Sequence, residues 1–253
     1  RTGEIRKLTA EIASIFYPNS IKQKIAVTGT NGKTSVVHYT RQLWKFQKID
    51  GASFGTLGLI HNGKVLKKLN LTTPEPTTNH KHLNKLSRIG CQKIIFEASS
   101  IGLNQDRLYP LKFDVLAFTN LSRDHLDYHK TIKNYKMSKA LLFTNYAKKN
   151  SSAIINTDSK HSEFFLRICK KKKLKILDFG KRAKFLKINS IKKNPTGFTV
   201  IMEFKKTKFS LDFECTSIFE IYNKICSLIL VFENNLKIKN LELLKKLKNP
   251  IGR

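Results

Sequence analysis

Three observations predict an α/β protein, a mostly parallel P-loop-type sheet flanked by helices with a small antiparallel β subdomain. Short apolar runs alternate with helical patterns along the first two thirds of the chain. A glycine turn, Gly29-Thr30-Asn31-Gly32, sits between the apolar run Ile25-Ala26-Val27 and a helix-period segment carrying Val36, Val37, Leu43 and Trp44. After residue 183 the period falls to two, in Phe185–Ile188, Gly197–Met202 and Phe209–Phe213.

Taken in order, residues 1–20 read as a helix marked by Ile5, Leu8, Ile12, Ile15 and Phe16 and ended by Pro18-Asn19. Strand 25–28, the glycine turn and helix 34–48 follow, then a short strand at Ala52–Gly55. Leu57–Leu69 reads as a hairpin about His61-Asn62-Gly63, because Asn-Gly accepts the positive φ that tight hairpin turns need. Thr72-Thr73-Pro74-Glu75-Pro76 is a rigid loop, with Thr77 or Thr78 expected to cap a helix to Ile89. Buried-type strands are expected at Lys93–Glu97, Phe113–Thr119, Ala153–Asn156 and Lys175–Phe179, with helices at 132–146 and 159–170. Asn194-Pro195-Thr196-Gly197 turns between two of the late strands, and helices close the chain at 223–233 and 241–247.

Composition narrows the function classes. The 253 residues suffice for a sizeable core, and no apolar run approaches membrane-spanning length. No signal peptide is visible, and the cytoplasm is expected. The net charge of +30 is spread along the whole chain with one dense run, Lys170–Lys173, which reads as solvated surface lysine that favours anionic substrates and not as a nucleic-acid site. Cys91, Cys169, Cys215 and Cys226 form no C-x-x-C pair, so they read as reduced thiols and no zinc site is expected.

The stretch Thr28-Gly29-Thr30-Asn31-Gly32-Lys33-Thr34-Ser35 carries the chemistry. Glycines let the backbone approach phosphate oxygens, and N–H groups at a helix start point at anions. Lys33 can reach terminal phosphates and Thr34 can offer its hydroxyl to Mg²⁺. Val27 stands where the common phosphate-loop spacing has its first glycine. Ligands of such sheets sit beyond the carboxyl ends of the strands. Glu97 and Asn120 each end a strand, and Asn120 leads to Arg123-Asp124-His125-Leu126-Asp127, so Thr34, Glu97 and His125 are candidate metal-site groups on one rim. Mg²⁺ prefers oxygen, which favours Thr34 and Glu97.

Together with Glu97-Ala98-Ser99-Ser100 and the run Phe118–His129, the phosphate loop resembles the Mur ligase family, from about residue 10 to residue 253. The third motif is most similar to the members that add a diamino acid, meso-diaminopimelate or L-lysine, to UDP-N-acetylmuramoyl-L-alanyl-D-glutamate. The resemblance implies an ATP-dependent ligase of peptidoglycan synthesis that uses Mg²⁺, acts through an acyl phosphate and works as a monomer. It implies that Gly29, Thr30, Asn31, Gly32, Lys33, Thr34 and Ser35 bind the ATP phosphates and that Asn223 lies near the adenine. Glu97 and His125 would help hold Mg²⁺, joined by Lys139 if it is carbamylated. Lys33, His125 and Lys139 would be catalytic, and Thr72, Thr73, Ser99, Gln105 and Arg107 would contact the UDP-muramoyl substrate.

The resemblance divides the chain into the end of an N-terminal domain (1–20), a central ATP-binding domain (21–248) and the start of a linker (249–253). On that reading this chain binds ATP but is incomplete for ligation. Leu71, Ile101 and Glu220 depart from the family's pattern, and a glutamate at 220 would repel phosphate if it faced it. Two alternatives stay open: a folylpolyglutamate synthase-like ligase, or a basic P-loop ATPase binding nucleic acid.

Overall fold

The computed structural model describes residues 2–250. Arg1 and residues 251–253 of the expected linker lie outside the described residues. Among the described residues one sheet of eleven strands, in the order β11-β10-β9-β8-β7-β6-β1-β5-β2-β3-β4, organises the fold. Its parallel part is β9 (Leu186–Asn194), β8 (Lys175–Gly180), β7 (Ala147–Asn156), β6 (Phe113–Phe118), β1 (Gln23–Thr28), β5 (Lys93–Glu97) and β2 (Gly51–Gly55). The central strands β1, β5 and β6 are apolar on both faces because helices cover both, whereas β9 exposes Lys187, Lys192 and Lys193. Ile25 and Val27 enter one hydrophobic cluster with α2 (Lys33–Phe46) and α8 (Ile218–Phe232), whereas Ala26 between them enters the other, with α3 (Pro76–Arg88), α6 (Ile132–Asn145) and α7 (Ser162–Lys171). Phe54 and Phe96 stack at 4.3 Å in the second cluster, across the β2–β5 pair.

Both edges are antiparallel. The expected hairpin is present as β3 (Gly58–His61) and β4 (Lys64–Lys67), with Asn62 (φ 47°) and Gly63 (φ 85°) in the turn. At the other edge β9 pairs with β10 (Gly197–Phe204) and β10 with β11 (Thr207–Phe213). This period-two segment continues the main sheet, because β9 also pairs parallel with β8 through Phe179–Leu186 and Gly180–Lys187.

Helix ends follow local chemistry. α3 starts at Pro76, whose fixed φ suits the first helical position, and its N-cap is Glu75. Thr77 and Thr78 therefore lie inside the helix, and neither is the cap expected of them. In α1 (Thr2–Phe16) the side buried towards the body carries Ala10 and Ala13, while Ile5, Leu8, Ile15 and Phe16 are exposed. A short α4 (Ser100–Asn104) is capped by Ser99, whose Oγ accepts from Gly102 N at 3.0 Å. One further turn, α5 (Leu126–His129), precedes α6, and α9 (Ile238–Leu241) with a 3₁₀ turn (Glu242–Lys246) replaces the last expected helix.

β1 lies between β5 and β6, so the chain crosses from one side of β1 to the other at the centre of the sheet. The crevice at the carboxyl ends of β1, β5 and β6 is where such a sheet takes ligands.

Candidate active site

Each of those three strand ends delivers one part of the site. After β1, Gly29 (φ 153°) and Gly32 (φ 87°) make the turn. A Cβ on Gly29 would lie 1.9 Å from Thr119 Oγ1, and one on Gly32 would lie 2.3 Å from Asn223 Oδ1. No side chain caps the N-terminus of α2, so the first N–H groups of this fourteen-residue helix are left to an anion. Lys33 folds back over the loop, with Nζ donating to Gly29 O (2.8 Å) and Thr30 O (2.9 Å). Ser35 is half-buried in the first turn.

Glu97 ends β5 and is buried. Thr34 Oγ1 donates to its Oε2 at 2.8 Å, and Thr56 donates to both oxygens, N to Oε1 at 3.0 Å and Oγ1 to Oε2 at 3.2 Å. Gly55 makes room for it, since a Cβ there would be 2.1 Å from Oε1. A buried carboxylate beside a threonine hydroxyl is a hard oxygen donor set, which fits Mg²⁺.

From the end of β6, Asn120 clamps the phosphate loop. Its Oδ1 accepts from Asn31 N (3.0 Å), its Nδ2 donates to Asn31 O (3.1 Å), and its carbonyl accepts from Thr30 N (2.9 Å). Thr119 Oγ1 adds a 2.6 Å bond to Asn31 O.

Lys139, on α6, reaches the same loop. It is 1% exposed, donates from Nζ to Gly29 O at 2.9 Å and lies 4.2 Å over the Tyr135 ring. Burial, and then the nearby Lys33 charge, hold its amine well below the usual lysine range. Tyr135 has its hydroxyl 3.1 Å from Thr30 Oγ1 and its ring edge-on to His125 at 6.2 Å. His125 itself has its backbone in the left-handed region (φ 50°) and a half-exposed side chain, whose Nε2 is 3.6 Å from Asp124. It shares the rim but makes no hydrogen bond to Thr34 or Glu97.

The expected substrate residues form a second cluster beside Glu97. Thr72 Oγ1 is 3.3 Å from Thr56 Oγ1. Thr73 is fully buried and donates to Glu97 O (2.7 Å) and Ser99 Oγ (2.9 Å). Arg107 bonds Thr73 O (3.1 Å), pairs with Glu75 (3.1 Å) and holds Gln105 Oε1 through Nη2 (2.6 Å). Ile101 is half-buried in α4, and Leu71 is exposed.

On the far side of Gly32 a cavity of about 260 Å³ is lined by Asn120, Asp158, Phe179, Phe219, Tyr222 and Asn223. Tyr222 donates to Asp158 Oδ2. Glu220 does not face the loop: its carboxylate pairs with Lys224 Nζ at 2.7 Å and accepts from Asn249 Nδ2 at 2.9 Å. The conditional repulsion of phosphate therefore does not arise.

The family model for the Mur ligase middle domain matches residues 27–231, most of the chain. The chain belongs to the Mur ligase family. Among curated Mur ligases, it is 40% identical over 194 residues to a UDP-N-acetylmuramoyl-L-alanyl-D-glutamate--2,6-diaminopimelate ligase of Rickettsia bellii, an alignment covering 74% of this chain and 40% of that protein. A solved structure of a ligase of the same name superposes with a TM-score of 0.83 at 26% identity, covering all of this chain and 52% of that one. The FPGS-AMPPCP complex superposes with a TM-score of 0.70 at 13% identity, covering 97% of this chain and 64–65% of such FPGS chains, a likeness of fold alone. The chain spans about half the length of the curated Mur ligase relatives it matches.

Thr56 and Tyr135 escaped the sequence reading. Thr56 stands outside every recognised motif, and only the fold brings it to Glu97. Tyr135 lies four residues before Lys139, the spacing that puts two side chains on one helix face.

Proposed function

We propose that the chain is the ATP-using core of a ligase of peptidoglycan synthesis that joins a diamino acid to UDP-N-acetylmuramoyl-L-alanyl-D-glutamate. The names of its relatives favour 2,6-diaminopimelate as the amine. The observation that carries this reading is the convergence of an uncapped helix start, Lys33, the Thr34–Glu97 pair and buried Lys139 on one phosphate loop. A nucleic-acid motor has no use for a buried lysine amine at that place.

The residues divide the work. Of the loop from Gly29 to Ser35, the Thr30 and Asn31 N–H groups are taken by Asn120 and the others would hold the ATP phosphates, while Lys33 would leave its two carbonyls to meet the transferring phosphoryl group. Asn120 and Thr119 keep the loop in shape through Asn31. Asn223 and the cavity behind Gly32 would take the adenine, with Phe219 and Phe179 offering apolar contact. Bound Mg²⁺ would neutralise charge on the phosphate oxygens, with Thr34, Glu97 and His125 as its candidate holders. Burial disfavours the charged form of the Lys139 amine, which suits it to take up CO₂ with loss of a proton and would set a carbamate carboxylate beside Gly29. Thr72, Thr73, Ser99, Gln105 and Arg107 would orient the UDP-linked substrate, directly or through the Arg107–Gln105 pair.

The reaction follows. The D-glutamate side-chain carboxylate attacks the terminal phosphorus of ATP and ADP leaves. The amine nitrogen then attacks the acyl carbon, a tetrahedral intermediate forms, and phosphate departs. The protein contributes positioning and charge neutralisation, and no side-chain nucleophile is required. We read it as a monomer acting in the cytoplasm, where ATP and the UDP-linked precursor are found. Incubation of the protein with ATP, Mg²⁺ and the UDP-muramoyl dipeptide in hydroxylamine should trap the activated carboxyl as a hydroxamate. ATP binding without any hydroxamate would contradict carboxylate activation by this chain.

A further inference from the structure

At the other end of the same strands the structure gathers three side chains from distant segments. Asp50 immediately precedes β2, His61 ends β3 and Cys91 lies two residues before β5. One oxygen of Asp50, one ring nitrogen of His61 and the Cys91 sulfur all lie within 4.8 Å of one another. His61 Nε2 and Asp50 Oδ1 are 2.6 Å apart.

We propose that Asp50, His61 and Cys91 form a binding site for a borderline-soft divalent cation of the zinc class, separate from the ATP–Mg²⁺ centre. Thiolate, imidazole and carboxylate together suit zinc and cobalt, and they disfavour Mg²⁺, which takes oxygen ligands and holds its water. In a tetrahedral site with these ligands, neighbouring donor atoms stand about 3.3–3.6 Å apart. Insertion therefore requires the 2.6 Å Asp50–His61 contact to open and the Cys91 thiol to leave Lys93 O, to which it donates at 3.3 Å.

The surroundings match a built site. The second oxygen of Asp50 accepts from Asn62 Nδ2 at 2.9 Å, and Asn62 Oδ1 accepts from Gly51 N at 3.2 Å, which fixes the carboxylate from behind. The Asp50 carbonyl accepts from Gln92 N (3.1 Å) and Lys93 N (3.2 Å), so the strand starts that carry two of the ligands are already tied together. Asp50, with Gly51 and Asn62, lines a cavity of about 580 Å³ whose other walls include Arg41, Lys45 and Lys48, so the ion would enter on the carboxylate side against these charges. A bound ion would cross-link three segments at the edge of the parallel sheet and stabilise the fold without touching the phosphate loop.

The test is a cobalt titration of the reduced, chelator-stripped protein in excess Mg²⁺. The expected result is a thiolate-to-cobalt charge-transfer band that saturates at one equivalent and is displaced by Zn²⁺. Cys91→Ser should abolish the band, and His61→Ala should weaken cobalt binding by at least the roughly 10–100-fold that loss of a supporting ligand partner costs. Thermal melting of the wild type should rise with Zn²⁺ and stay flat in His61→Ala, which keeps the question open to decision if Cys91→Ser folds poorly. No band in the wild type, or a band that survives both substitutions, overturns the site.

Discussion

The two ends of the parallel strands present opposite chemistry on one scaffold. At the carboxyl ends, backbone N–H groups, hydroxyls, a carboxylate and two lysines surround a glycine loop. The amino ends of β2 and β5 instead bring an imidazole, a thiol and a carboxylate together. The carboxyl-end groups come mostly from short continuous stretches, because a strand running into a helix places consecutive residues around the helix start. The amino-end groups come from positions 50, 61 and 91, which only strand pairing makes neighbours.

Substitutions can separate the two ends. The largest effect is expected from Phe96→Ala, which removes the ring stacked on Phe54 in the strand that joins both ends. It should cost about 3–5 kcal/mol by denaturant unfolding and weaken both ends together. A loss confined to one end would show that the strand does not couple them. Next, Asn120→Ala removes two side-chain bonds to Asn31 and should act on the carboxyl end alone. Loosening of about 1–3 kcal/mol should appear as weaker ATP binding, read by calorimetry, with cobalt binding unchanged.

The smallest effect concerns pH and is shared by both ends. His80 on α3 is 2% exposed, and burial lowers its pKa from 6.5. Below that value the unfolded chain binds a proton that the folded protein refuses, so stability falls as pH drops from about 6.5 towards the folded-state pKa. The slope is at most about 1.4 kcal/mol per pH unit for this one group. His80→Leu should flatten that limb of the melting-temperature profile, and an unchanged limb would assign the acid sensitivity elsewhere.

The same contrast explains what could be read from the chain. The phosphate loop and the strand ends at Glu97 and Asn120 were legible, because each is a continuous motif at a strand end. The hairpin at Asn62-Gly63 was legible from turn chemistry. The late strands were recognised, but two parallel pairs between β8 and β9 decide that they extend the main sheet, and no local pattern reports such a contact. Thr77 and Thr78 do not cap the helix because Pro76 takes the first helical position ahead of them. The orientation of Glu220 depends on Lys224, one helical turn away, and on Asn249. Only the family resemblance points to Lys139, since a lysine in a helix normally faces water. Its burial against Gly29 is a tertiary fact.

In the proposed function Lys33 and its loop are the seat of the nucleotide. Calorimetric titration of Mg-ATP into the wild type and into Lys33→Ala tests this most directly, with circular dichroism to show that both are folded. The predicted result is one nucleotide per chain for the wild type and a loss of affinity on the order of 100-fold or more for Lys33→Ala. Equal affinities in two folded proteins would contradict it.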